Sequence, residues 1–178
     1  MSDPTSADLV ASRSDRPPAV DDERETLMTM LRYTRATVHA KCTGLADEHV
    51  GAVRLPTSPL TTIGGLVSHV RWVEYSWVQV VFLGEEDHGP WTEEDPDREL
   101  RIGAALPLDE LLASYAEQSA RYDELLAGHD LAELSVRPGS DGRRFPLRWI
   151  LLHLIEETAR HNGHLDILRE MADGVTGD

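Results

Sequence analysis

A single cysteine, Cys42, occurs in 178 residues. An intrachain disulfide is therefore excluded, and so sparse a use of thiols suits a reducing compartment. Aromatic residues make up only 6% of the chain, so the core has to come mainly from Leu, Val, Ile and Ala. No apolar run approaches the length of a membrane-spanning helix. The N-terminal stretch lacks the basic and apolar regions of a signal peptide, and a cytoplasmic protein is the expectation. Basic residues are outnumbered, 17 Lys and Arg against 32 Asp and Glu, for a formal net charge of -15. Such a surface repels phosphate backbones and anionic lipid, which argues against nucleic-acid and membrane partners. The chain has no G-x-G-x-x-G, no phosphate-binding loop, no C-x-x-C and no internal repeat. No segment sustains the polar-apolar alternation of a strand.

What is present is helical periodicity. Residues 1–20 are rich in Ser, Asp and Pro without a period and read as a disordered tail. A first helix is expected from Asp21 or Asp22, with Leu27, Met30, Leu31, Thr34, Val38 and Cys42 on one stripe and Gly44 as its stop. His39 falls off that stripe and reads as a surface residue. A second helix is expected from Thr61 or Thr62 to Gly84. Leu66, Val70, Val73, Trp77 and Val80 make its inner face, with Arg71, Glu74, Tyr75 and Val78 opposite and His69 on the shoulder. Residues 85–106 read as a long acidic loop in which His88 and Trp91 are candidates to line a cleft. A third helix runs from Pro107 to Ala127 and a fourth from Pro146 to Gly174. Four amphipathic helices with long connections define an all-α four-helix bundle, one domain over residues 21–175.

The fourth helix carries the chemistry. Ile150, Leu154, Leu165 and Leu168 centre its apolar face, and Glu157 and His161 lie among them, within about 40° of one another. His153 and His164 sit at the edge of that face, while Glu156, Arg160, Asn162, Asp166 and Glu170 point away. A buried carboxylate is costly unless it is compensated. A hydrogen-bonded His-Glu network is one compensation. A divalent cation is the other, because residues at i and i+4 present two ligands to one ion in a helical bundle. His69 is the donor available on a facing helix for a third ligand. Cys42, on the apolar stripe of the first helix, reads as packing rather than as a nucleophile.

Two segments, LTTIGGLVSHVRWVE around His69 and LRWILLHLIEETARHNGHLDILRE around Glu157 and His161, carry a family resemblance. Over roughly residues 22–175 the chain resembles the DinB-like metal-binding bundles. The similarity is strongest to the actinobacterial branch of mycothiol-dependent maleylpyruvate isomerase and mycothiol S-transferases. The resemblance implies three metal ligands at His69, Glu157 and His161. Many members have His where this chain has Glu157, and the mycothiol-dependent branch has Glu. Such a set with an open position suits zinc, and nickel, manganese or iron accept the same ligand types. His164 is the candidate for a catalytic, substrate-binding or supporting role, and His153 for orienting Glu157.

The implied activity is metal-dependent transfer of a low-molecular-weight thiol, mycothiol or similar, to a small electrophile in detoxification or stress response. A metal-dependent hydrolase using His164 as base is an alternative. A non-enzymatic bundle that binds metal or a small ligand is another. Val78, as an exposed apolar position, hints at a homodimer face.

Overall fold

The computed structural model describes residues 17, 19–139 and 142–176. Of the tail expected at residues 1–20, residues 1–16 and 18 lie outside them. The described residues form four long helices and one short one, with no strand. Helix α1 spans Glu23–Cys42, α2 Ile63–Tyr75 with a π-helical continuation Ser76–Phe82, α3 Arg98–Ala105, α4 Leu108–Ala127 and α5 Leu147–Asp173. Local chemistry sets the ends. The Asp22 carboxylate accepts from the Glu25 N–H at 2.8 Å, and the Thr62 hydroxyl accepts from the Gly65 N–H at 3.0 Å, each satisfying a donor of the first turn. Gly44, Gly84 and Gly174 adopt positive φ just beyond helix ends, a conformation disfavoured for residues with a Cβ.

The four long helices bury two apolar clusters, one with Val38, Leu66, Val70, Leu112, Leu165 and Leu168 and the other with Leu31, Ile150 and Leu154. Helix α2 does not have a single inner face. Helices α3, α4 and α5 all pack on it, so Glu74, Tyr75 and Val78, expected on its far side, are buried. Val78 is 0% exposed and supports no dimer face. The wider turns of Ser76–Phe82 further shift the side chains away from a simple helical wheel.

Glu74 survives burial through Arg35 of α1. The guanidinium donates to both carboxylate oxygens, at 3.1 and 2.5 Å, and to Asp123 of α4 at 2.7 Å. Burial works against the charge on Arg35, but Glu74 and Asp123 outweigh it and push its pKa up.

The stretch 85–106 is not simply a loop. It contains α3, which lies against the start of α2 because both backbones lack side chains at the crossing. A Cβ on Gly64 would meet the Gly103 carbonyl oxygen at 2.3 Å, and one on Gly103 would meet the Gly64 oxygen at 2.3 Å. The Ser68 hydroxyl donates to the Glu99 carbonyl at 2.7 Å and fixes the register of the pair. Pro107 then sets the preceding residue in the extended region and separates α3 from α4.

His39 is a second correction. It is 2% exposed, its ring parallel to that of Tyr115 at 6.0 Å, because α4 and α5 cover α1 on two sides. Burial pushes its imidazole down to about 4. The unfolded chain therefore takes up a proton near pH 6.5 that the folded chain refuses until about pH 4. The stability associated with neutral His39 is complete above that window and is lost as pH falls through it, by up to about 3 kcal/mol. Urea melts across this range should fall less steeply for His39→Gln than for the unaltered chain. Equal slopes would assign the pH dependence to other groups.

Candidate metal centre and adjoining cleft

His69 projects from α2, and Glu157 and His161 project one turn apart from α5. Among the described residues these three form the cluster able to hold a metal ion, with one ligand atom from each lying within 4.8 Å of the others. Glu157 Oε1 is 3.1 Å from His161 Nε2 and 3.5 Å from His69 Nε2. The two imidazoles meet edge to face at 4.9 Å. Their side chains are 25%, 12% and 13% exposed for His69, Glu157 and His161 respectively, so the trio sits in a recess partly open to solvent.

Each member is held from behind. Glu99 of α3 places Oε1 3.2 Å from His69 Nδ1. His164 Nδ1 lies 3.3 Å from His161 Nδ1. Arg160 donates from Nη2 to Glu157 Oε2 at 2.8 Å, leaving Oε1 to face the histidines. Burial alone would raise the Glu157 pKa, but His161, Arg160 and the hydrogen bond from His69 outweigh it and hold it below the ordinary carboxylate value. Burial, aided by the neighbouring His69, lowers His161 against the opposing pull of Glu157. An ionised carboxylate and a neutral imidazole are the states in which these groups donate lone pairs to a metal.

The donor set also fits a cation on electrostatic grounds. His69 stands between two carboxylates, Glu99 on Nδ1 and Glu157 on Nε2. In the alternative tautomer suited to a metal, Nδ1–H donates to Glu99 and Nε2 turns a lone pair, in place of a donated hydrogen, toward Glu157 Oε1. Two acceptors at 3.5 Å call for positive charge between them. A carboxylate behind a histidine is a recurrent support for metal ligation, and its loss typically costs about 10–100-fold in metal affinity. Glu99→Gln is expected to weaken zinc binding within that range while leaving the helical circular dichroism unchanged. Unaltered affinity would reduce Glu99 to a packing role.

Beside His69 is a cavity of about 270 Å³ walled by Trp72, Trp77 and Trp91, with Ser76 and Glu99 on its lining. Trp91 is tied in by donating from Nε1 to Asp87 at 3.0 Å and meets Trp72 edge to face at 5.8 Å. The loop tryptophan thus lines a cleft. His88, the other loop candidate, lines a different cavity that also includes Trp72.

The remaining sequence candidates divide. His164 stands behind His161. His153 packs on Trp77 and Trp149 and lies 3.8 Å from Glu156, away from Glu157. Asn162, expected to point outward, is buried and donates to the Thr34 carbonyl of α1 at 2.9 Å. Arg160, also expected to point away, curls back over one turn to Glu157. Cys42 is buried, and burial pushes its thiol up to about 12, so it is no nucleophile at neutral pH. Glu99 carries no motif or periodicity that marks it in the sequence. Its signal lies in the small residues Gly64, Gly65 and Gly103, which permit the close helix crossing that delivers it.

An all-helical bundle of the DinB-like type, with an aromatic cleft beside a His-Glu-His recess, is the class this architecture defines. The family model described as mycothiol-S-transferase matches residues 26–174, and the chain belongs to that family. No curated protein sequence matches the chain.

Proposed function

We propose that this chain is a divalent-metal-dependent S-transferase that joins mycothiol, or a closely similar thiol, to a small electrophile. Membership of the mycothiol-S-transferase family supports the thiol. The convergence of His69, Glu157 and His161 is the single observation that carries the metal. Their ligand types suit zinc, with nickel, manganese and iron as alternatives. When bound, such an ion favours the thiolate form of a thiol at neutral pH.

The chain's own residues define the rest of the site. Glu99, Arg160 and His164 hold the three ligands in orientation. Trp72, Trp77 and Trp91 offer an apolar bed for the electrophile and limit access of water. In the reaction the thiol gives up its proton, a carbon-sulfur bond forms, and the electrophile loses a leaving group or gains the proton. No helix of the described residues is long and apolar enough to cross a membrane. A cytoplasmic role in detoxification or stress response, exercised by one domain over residues 21–175, completes the reading.

Protein purified without a histidine tag should carry one divalent ion per chain or take one up. It should also consume a chromogenic aryl halide only when thiol is supplied. Turnover without thiol would favour hydrolysis, in which His164 would have to serve as base although it is already engaged with His161. Metal binding without turnover of either kind would leave a binding module. Absence of a stoichiometric ion, with no uptake on addition, would exclude the proposed metal chemistry.

A further inference from the structure

We propose that a second site, between α2 and α4, binds a small aryl carboxylate independently of the His-Glu-His trio. Arg71 of α2 and Arg121 of α4 line a cavity of about 250 Å³ together with Trp72, Tyr75 and Gln118. Arg71 is two residues beyond His69, so the two side chains leave the helix about 160° apart. Trp72 is the wall shared by the two cavities.

These two arginines differ from those held in ion pairs. Arg35, Arg101, Arg148, Arg160 and Arg169 each meet a carboxylate. Arg71 instead lies over the Trp72 ring at 4.6 Å, and Arg121 stands 6.0 Å from the Tyr122 ring. Glu117 also lines the cavity, yet among the described residues neither arginine forms an ion pair with it. Glu117 acts on Arg71 only through its charge, without a contact ion pair, so among the described residues the guanidinium groups of Arg71 and Arg121 enter the cavity without a hydrogen-bonded carboxylate. Arg71 Nε is buried without a hydrogen-bond partner, a donor that an acceptor in the cavity would satisfy.

The cavity's chemistry selects the ligand. A guanidinium presents a planar fork that matches a carboxylate. Stacking on Trp72 pre-orients Arg71, so less freedom is lost on binding. Trp72 and Tyr75 offer ring surfaces for an aromatic body. Tyr75 is itself fixed, its hydroxyl accepting from the His88 N–H at 2.7 Å and donating to the Glu86 carbonyl at 3.2 Å. Gln118 is held by donating to the Arg71 carbonyl at 2.7 Å.

Benzoate and its neutral isostere benzamide test the site by calorimetry on the full chain. Benzoate should bind one to one, and benzamide at least about tenfold more weakly, as expected when charge-assisted hydrogen bonds are lost. Arg71→Gln and Arg121→Gln should each weaken benzoate by about tenfold or more. Arg121 is exposed, so its variant decides the matter if Arg71→Gln fails to fold. His161→Ala should leave benzoate binding unchanged. The proposal is overturned by absence of benzoate binding, by equal binding of benzamide, by indifference to both arginine variants, or by loss of benzoate binding in His161→Ala. That last result would place the carboxylate at the metal centre.

Discussion

His161→Ala is expected to abolish stoichiometric metal binding and, with it, thiol-dependent turnover. His161 supplies the nitrogen nearest Glu157 Oε1, at 3.1 Å. Its removal leaves His69 and Glu157 from two different helices as the remaining pair. Losing even an outer hydrogen-bond partner of a metal ligand typically costs about 10–100-fold in affinity, so losing a ligand itself should exceed about 100-fold. The fold should tolerate the change, because the side chain is partly exposed and meets Glu157, His69 and His164 within the site. A suitable control is His88→Ala, an exposed loop histidine 71% open to solvent. Competition titration with a metal-sensitive dye measures both variants. Retention of one tightly bound ion by His161→Ala would remove His161 from the ligand set. Equal loss in both variants would place the metal outside the trio altogether.

Why this trio is legible in the sequence, and its supports are not, follows from how each is built. Glu157 and His161 stand one turn apart in the centre of an apolar stripe on a long helix, so their inward direction follows from periodicity alone. The capping residues Asp22 and Thr62 and the glycines after the helices act within a few residues, and they mark the boundaries correctly. Glu99 depends on the crossing of α3 over α2, and the stretch containing α3 is dominated by charge and proline. Arg160 has a backbone direction pointing away, yet its side chain is long enough to return to Glu157, which a wheel of Cα positions does not register. Glu74 and His39 read as outward only if each helix has one buried face. Helix α2 is covered by α3, α4 and α5, and α1 by α4 and α5. Polar residues on the second covered face then require partners, and the partner of Glu74 is 39 residues away.

That distant pairing carries the largest expected effect on stability. Arg35→Ala should destabilise the protein by about 3–5 kcal/mol, because it leaves Glu74 buried and without its counter-charge. For a chain of this size that corresponds to a fall of roughly 6–20 °C in melting temperature. Glu74 is 1% exposed, so water cannot replace the guanidinium without opening the interface between α1 and α2. Asp123, also released by the substitution, is partly exposed and retains Arg32, whose Nε donates to it at 2.6 Å. The stranded Glu74 carboxylate should therefore dominate the loss. Replacing both members, as Arg35→Met with Glu74→Leu, removes the unpaired charge and fills the volume with apolar atoms. Buried ion pairs replaced in this way are often neutral or even stabilising, so the double variant should be more stable than Arg35→Ala by several kcal/mol. The coupling between the positions should accordingly be strongly non-additive. Chemical denaturation of the single and double variants measures it. If the double variant is as unstable as the sum of the two single ones, the pair makes no coupled contribution, and the cost of Arg35→Ala lies in lost packing. Metal affinity provides the companion readout. The pair lies outside the His69, Glu157 and His161 recess, and a double variant that folds should bind the ion as the unaltered chain does.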